Sequence, residues 1–294
     1  MSTELIIEAD VSKKKLFSVL AMVQEFEKKY SAYRDDSLLA SIAANAGKHP
    51  VKCSAQELEI FQRALEIAQA SNGMFDPTIG ALTQGTYGFG TDRAKLPNTS
   101  ELQQKKELVD YKKIEISTNS IYLTEAGMRL DLGGIGKGYI ADKIVDMLRS
   151  LNATRGLVSV GGEIISFSKA HAIAVQNPFK EGFCGVIQTQ GEDISISTSG
   201  DYERYIGSKE HHHILDHRTA KQNHYYSSLT LIKNGLDATS LDALTTVAFN
   251  TAPENLQTIA TDFKVAIFAI SPQKDIYIKN FENLHIKNFE LYCL

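Results

Sequence analysis

Four glycines fall within six residues, at Gly133, Gly134, Gly136 and Gly138, between the apolar approach Leu130-Asp131-Leu132 and a run with helical spacing. Glycine opens φ > 0 and lets another group come close to bare backbone N–H groups. A helix N-terminus beside such a loop carries unpaired donors and partial positive charge, and so suits an anion. Lys137 adds a full positive charge at the same place. The residues predict a strand, a glycine loop that cradles phosphate, and a helix over about residues 138–151. The alternative is a tight strand-to-helix turn that binds nothing. Neither familiar phosphate motif fits. A Walker loop needs Gly, four residues, then Gly-Lys-Ser/Thr. Here Asp131 stands where the first glycine belongs, and Gly138 replaces the magnesium-holding hydroxyl. The dinucleotide fingerprint fails too, because Lys137-Gly138-Tyr139 follows Gly134-Ile135-Gly136.

Composition narrows the class. A chain of 294 residues, 43% hydrophobic and 22% charged, is ordinary for a globular enzyme and buries a core in one large domain or two interleaved lobes. A net charge of -4 gives no reason to expect nucleic-acid binding. Cys53, Cys184 and Cys293 are too scattered for a disulfide framework or zinc knuckle, so buried thiols are expected. No apolar run approaches the ~18 residues of a membrane span. Glu4-Leu5-Ile6-Ile7-Glu8 reads as a strand, with no basic segment before an apolar core. A cytoplasmic location is expected if the chain is complete, and a periplasmic one if a leader has been removed.

Residues 14–30 have helical spacing, with Phe17, Leu20, Val23 and Phe26 on a slowly drifting face. Asp36 or Ser37 caps a short helix through Ala44, and Ser54-Ala55-Gln56-Glu57 has capping-box spacing before a helix through about Ala70. Strands are predicted within residues 114–124, 157–165 (interrupted at Gly161-Gly162 by a bulge or a ligand contact), 172–175, 229–232, 265–270 and 276–278. Two long helices precede most of the strands, and strands alternate irregularly with helices. That argues for an α+β fold of mixed sheets with packed helices.

Several polar groups stand out. Asp76-Pro77-Thr78 is a rigid polar island whose carboxylate could satisfy turn amides. Tyr87-Gly88-Phe89-Gly90 could line a flat-ring pocket or fill a loop. Residues 194–204 turn from alternating strand into the hydroxyl-rich Ser197-Thr198-Ser199-Gly200, a phosphate-binding loop or a common turn. The run 211–219 holds His211, His212, His213, Asp216 and His217. A zinc site is conceivable, but alternation separates His212 from its neighbours, so one catalytic histidine with exposed neighbours is expected. Asp242 and Thr246 share a helix face at i and i+4. Their hard oxygens suit magnesium beside phosphate; the alternative is Asp242 as a first-turn acid on its own helix dipole.

Taken together, ordered blocks over about residues 1–270 resemble the ApbE family of FAD:protein FMN transferases. Ser71-Asn72-Gly73-Met74-Phe75-Asp76-Pro77-Thr78 resembles the family's T-x-G-x-F-D-P-T, and Asp131-Leu132-Gly133-Gly134-Ile135-Gly136-Lys137-Gly138 its D-L-G-G-I-A-K-G. Val160-Gly161-Gly162-Glu163, residues 197–202, His213-Ile214-Leu215-Asp216 and residues 242–246 resemble later blocks in the same order, and Met1-Ser2-Thr3 resembles the M-G-T that begins many mature domains. Departures are His217 for a proline, Ala220 for a glycine, Tyr87 for a tryptophan, and Ser37-Leu38-Leu39-Ala40-Ser41-Ile42-Ala43 without the family's acid and asparagine.

The resemblance implies one domain over residues 1–294, with T-fold-related architecture, two interleaved lobes and flavin between them. It implies Mg²⁺-dependent cleavage of FAD as substrate, transfer of FMN to a threonine of an acceptor flavoprotein through a phosphoester, and release of AMP. The alternatives are an FAD pyrophosphatase or a non-catalytic FAD-binding protein. The implied metal ligands are Asp242, Thr246 and the backbone carbonyl of Gly136. His213 is the implied base, with Asp242 the other catalytic residue. Asp76, Thr78, Tyr87, Lys137, Gly161, Gly162, Thr198, Ser199, Gly200 and Asp216 are the implied flavin-nucleotide contacts.

Overall fold

The structure is a computed structural model and describes residues 3–292 and 294. The expectations for Met1-Ser2 and for the Cys293 thiol lie outside the described residues. Cys53 and Cys184 are free, buried thiols. Among the described residues no helix is long and apolar enough to cross a membrane. The chain divides into two compact units, each built from separated segments. One holds residues 24–136 and Asp201–Asn223; the other holds the N-terminal segment through Val23, Lys137–Gly200 and His224–Leu294.

The second unit is built on a seven-stranded sheet. Its strands lie side by side in chain order: Leu5–Ala9, Gly156–Val160, Glu163–Phe167, Ile194–Gly200, Ser228–Asn234, Ala266–Ile270 and Ile276–Lys279. Every neighbouring pair is antiparallel. Alternation sorts the faces. Ile194, Ile196, Ile232, Ala266, Phe268 and Ile270 form one buried cluster with Ile173, Val175, Cys184 and Ile187. Those last four come from a three-stranded sheet ordered Ile286–Leu291, Phe183–Thr189, Ala172–Gln176. Ser197, on the opposite face from Ile196, meets Thr245 of the helix Ala238–Phe249, hydroxyl to hydroxyl at 3.0 Å.

In the first unit, Ser37 caps the helix Leu38–Asn45 by accepting from the Ala40 N–H. Ser54 and Glu57 complete the expected capping box on the helix Ala55–Ala70, which buries Leu58, Phe61 and Ile67. A small sheet of Val51–Lys52, Ser120–Leu123 and Ile114–Ile116 and a hairpin of Tyr205–Ile206 with Ser208–His212 complete its strands.

The α+β class is as expected, but several local readings need correction. The helix Lys13–Tyr30 forms, yet Phe17 is 62% exposed and the buried residue is Val19. Steps of three residues turn back by about 60° each on a 3.6-residue helix, so the four apolar residues do not share one face. Leu130-Asp131-Leu132 is irregular, with the Asp131 N–H spent on the Pro77 carbonyl. The loop helix is Gly136–Ser150, starting two residues earlier than expected. Ser197, Thr198, Ser199 and Gly200 lie in a central strand instead of a loop. Gly161-Gly162 is the two-residue turn of a hairpin instead of a bulge within one strand. The strands Phe183–Thr189 and Ile286–Leu291 were not anticipated.

Candidate active site

The glycine loop earns its glycines through space. None of its four glycines has positive φ, which corrects the conformational argument from sequence. A Cβ on Gly138 would stand 2.0 Å from the Ala238 carbonyl oxygen and 2.9 Å from the Asp242 Cβ. Only glycine lets the helices Gly136–Ser150 and Ala238–Phe249 approach this closely. Gly136, by contrast, opens its helix with room to spare; a Cβ there would meet its nearest atoms at 3.9 Å.

Each of these helices supplies a carboxylate to the other's N-terminus. Asp242 Oδ2 accepts from the Gly138 N–H at 3.0 Å. Asp142 returns the favour, Oδ1 accepting from Ala238 N–H at 3.1 Å and Oδ2 from Thr239 N–H at 2.8 Å. Orphan N–H groups and the positive dipole end are satisfied together. Asp242 thus serves the neighbouring helix, which corrects its reading as a first-turn acid of its own. The sequence reading missed Asp142. Its signal was spacing: Gly138/Asp142 and Ala238/Asp242 both pair a small residue with an aspartate four later.

Lys137 joins this cluster. Its Nζ donates to Asp242 Oδ1 at 2.8 Å and to Glu163 Oε1 at 2.6 Å. It is therefore tied to two carboxylates, not an unattached cation of a phosphate loop. Burial alone would lower the Lys137 pKa, but Asp242 and Glu163 outweigh it and hold the ammonium charged well above the ordinary lysine range. Glu163 is fully buried. Its burial, then the Asp242 charge, outweighs the pull of Lys137 and pushes its carboxyl up to about 8. Two carboxylates thus share one ammonium, and the local balance favours taking on positive charge, whether as a proton or as a cation. Thr246, half-buried, lies one turn beyond Asp242.

Elsewhere in the second unit the candidate residues serve the sheet. Gly161 takes φ +64 as the first turn residue, the conformation a type II′ hairpin needs there. A Cβ on Gly162 would stand 2.6 Å from the Thr198 carbonyl oxygen, and the Gly162 carbonyl accepts from the Thr198 N–H at 3.0 Å. The Thr198 hydroxyl lies 2.9 Å from that of Thr230. Ser199 and Gly200 pair with Leu229 and Ser228.

In the first unit, Asp76 closes its own turn. Oδ1 accepts from the Thr78 N–H at 2.8 Å and hydroxyl at 2.6 Å, and Oδ2 from the Tyr111 N–H at 2.9 Å. Burial outweighs those bonds and raises its pKa. Tyr87 is buried, stacked on Phe89 at 5.0 Å, and its hydroxyl donates to the Ala220 carbonyl at 3.1 Å. Asp216 accepts from Arg218 Nε at 2.9 Å, Nη2 at 2.7 Å and the Arg218 N–H at 2.9 Å, with Asn223 Nδ2 at 3.2 Å. Burial would raise its pKa, but the Arg218 bonds win and hold it below the usual carboxylate range. His217 is held below the usual imidazole value by burial, against the pull of Asp76 and Asp216.

The half-buried His213 sits just past the strand Ser208–His212, its ring Nδ1 3.1 Å from the Arg204 carbonyl. His212 is buried, contrary to the expectation of exposed neighbours, with its Nε2 against the Asn223 carbonyl and its own carbonyl accepting from Gln222. Among the described residues no group of three or more His, Cys, Asp or Glu side chains is arranged to hold a metal ion, so the conceivable zinc cluster does not form.

The ApbE family model matches residues 1–269. The FAD:protein FMN transferase of Treponema pallidum is 31% identical over 257 residues, covering 80% of this chain and 70% of the relative. That of Klebsiella pneumoniae is 29% identical over 243 residues, covering 80% and 75%. Among solved structures, the ApbE protein of Thermotoga maritima matches with a TM-score of 0.86 at 24% identity, over 97% of this chain and 96% of that one. The flavin transferase ApbE from Vibrio cholerae matches with a TM-score of 0.81 at 23% identity, over 97% and 96%. These two share the fold. On the family match and the Treponema relative, this chain belongs to the ApbE family.

Proposed function

We propose that this chain transfers FMN from FAD to a threonine of an acceptor protein, with Mg²⁺ as its metal. The carrying observation is the Lys137–Glu163–Asp242 cluster, in a chain whose relatives are named FAD:protein FMN transferases. Two carboxylates against one ammonium leave the cluster short of positive charge. Asp242, one of those two carboxylates, and Thr246 one turn further along the helix would offer the ion hard oxygen donors of the kind Mg²⁺ takes. When bound, the ion would offset negative charge on the pyrophosphate oxygens. Lys137 holds Asp242 and Glu163 in place through one hydrogen bond to each.

In the transfer, the threonine oxygen forms a bond to the FMN phosphorus. The P–O bond to the AMP phosphate breaks, and AMP leaves with its electron pair. The threonine proton passes to His213, a general-base contribution of roughly 10²–10⁴-fold.

The test combines the protein, FAD, Mg²⁺ and an acceptor carrying a flavinylation threonine. The expected result is a flavin-fluorescent acceptor band on a denaturing gel, with one AMP released per label, and no band with Asp242→Ala. Free FMN and AMP beside unlabelled acceptor would identify a pyrophosphatase. Bound FAD that never yields AMP would identify a binding protein. Either outcome overturns the transferase reading.

A further inference from the structure

The two adjacent histidines at the end of the Tyr205–Ile206/Ser208–His212 hairpin each have one ring nitrogen against a backbone carbonyl. For His213 it is Nδ1, 3.1 Å from the Arg204 oxygen. For His212 it is Nε2, 3.0 Å from the Asn223 oxygen. A carbonyl only accepts, so the facing nitrogen must carry the proton. Neutral imidazole has one N–H, and the opposite nitrogen then holds the lone pair. We propose that the Arg204 carbonyl fixes His213 in the Nδ1–H tautomer, making Nε2 the basic nitrogen offered to the acceptor hydroxyl, while the Asn223 carbonyl fixes His212 in the opposite form. The part played by Nε2 rests on the role proposed for His213 above.

The surrounding chain shows why the pair is sorted this way. Pairing of Tyr205 with His212 sets Arg204 opposite His213. The Arg204 oxygen takes the His213 main-chain N–H at 3.0 Å as well as the ring. One carbonyl thus fixes both the backbone and the ring plane. The register slips between Tyr205 and Ile206, and Gly207 at φ +73 turns the chain. His212 is 1% exposed, and its own carbonyl accepts from Gln222 Nε2 at 2.8 Å. It is a structural residue that knits the hairpin to residues 222–223. His213 is half-buried just beyond the strand end. When His213 Nε2 takes a proton, the Nδ1–H bond to Arg204 persists and strengthens, because a charged donor bonds more tightly. The base then changes charge without turning its ring.

The test is a long-range ¹H–¹⁵N correlation spectrum of the full chain labelled at histidine, taken where the imidazoles are neutral. The expected pattern has His213 Nε2 in the range of a bare ring nitrogen and Nδ1 in the N–H range, with His212 reversed. The opposite pattern at His213, or averaged shifts on both its nitrogens, would overturn the proposal. This spectrum needs neither flavin nor acceptor, so its failure is separate from failure of the transferase reading.

A second arm compares two amides. His213→Asn keeps a donor where Nδ1 lies and removes Nε2. His213→Gln places an amide near the Nε2 position and gives up the Arg204 bond. The Asn variant should keep the wild-type Tm and KM while kcat falls roughly 10²–10⁴-fold; the Gln variant should lose Tm. An Asn variant with undiminished kcat would show that Nε2 is not the base.

Discussion

The Lys137–Glu163–Asp242 cluster and the histidine segment 211–219 both place ionisable groups away from water, and they balance them in opposite ways. In the first, two carboxylates compete for one ammonium and Glu163 is pushed up. In the second, Asp216 has a guanidinium to itself, together with main-chain and amide donors, and is pulled down. One region is short of positive charge and the other is saturated. Desolvation raises both acids; at Asp216 the bonds to an unshared guanidinium outweigh it, and at Glu163 the shared ammonium does not.

The largest effect expected from this contrast is at Lys137. Lys137→Met leaves Asp242 and Glu163 without their ammonium, and breaking a buried ion pair from one side costs about 3–5 kcal/mol. Glu163 can protonate and Asp242 keeps the Gly138 N–H, so the lower end of that range is expected in denaturant unfolding. A loss under about 1 kcal/mol would show that solvent, not Lys137, balances the carboxylates.

The next effect separates space from conformation in the glycine loop. Gly138→Ala must push the Ala238 carbonyl away from a 2.0 Å overlap, and overpacking of this kind costs about 1–3 kcal/mol or more. Gly136→Ala meets only ordinary contacts at 3.9 Å, and alanine in a helix gains up to about 1 kcal/mol over glycine. Thermal melts should therefore move in opposite directions. Equal losses would mean that the loop needs glycine for its backbone angles after all.

The same contrast has a pH signature. Asp216 titrates lower in the fold than its ordinary 3.8. Its contribution is therefore present above that value and disappears as pH falls through the folded value. Glu163 titrates higher than its ordinary 4.5, at about 8. Its contribution is full below 4.5 and is lost as pH rises through about 8. Asp216→Asn should flatten the acid limb of the stability profile and leave the neutral limb alone. Glu163→Gln should flatten the stretch between 4.5 and 8 and leave the acid limb alone. Urea midpoints measured across pH check both, and a swap of the two limbs would reverse the assignment of the regions.

What the sequence shows of this arrangement depends on how local the cause is. The Ser54–Glu57 capping box was readable because both partners lie within one turn. The α+β class was readable from the spacing of apolar runs. Ser197-Thr198-Ser199-Gly200 was misread because its composition favours turns; the partners that satisfy its hydroxyls, Thr245 and Thr230, are tens of residues away. The edge strand Ile286–Leu291 was missed because Lys287, Asn288 and Glu290 interrupt its apolar pattern. Within the cluster, Asp242, Lys137 and the need for glycines could be named from the chain. That Glu163 and Asp142 complete it, and that Gly138 is there for the Ala238 carbonyl, are facts of tertiary approach that no window of residues contains.

Ala220 gives the smallest effect and the finest test of the saturated region. It stands where the family pattern has glycine, and it takes φ +57. A left-handed residue with a Cβ costs about 1–2 kcal/mol, so Ala220→Gly should relieve strain. Against that, the methyl is buried, 1% exposed, in a cluster with Leu82, Tyr87, Phe89 and Leu215. Losing it forfeits about 0.8 kcal/mol of burial, and glycine adds about 0.4–1 kcal/mol of unfolded-state entropy. The terms nearly cancel, so the expected change is within about 0.5 kcal/mol of zero, read as an almost unmoved urea midpoint. The Ala220 carbonyl that receives the Tyr87 hydroxyl is main chain and stays in place. A clear gain would mean that strain at this turn outweighs packing. A clear loss would mean that packing of the methyl in the cluster with Tyr87 and Leu215 outweighs the strain.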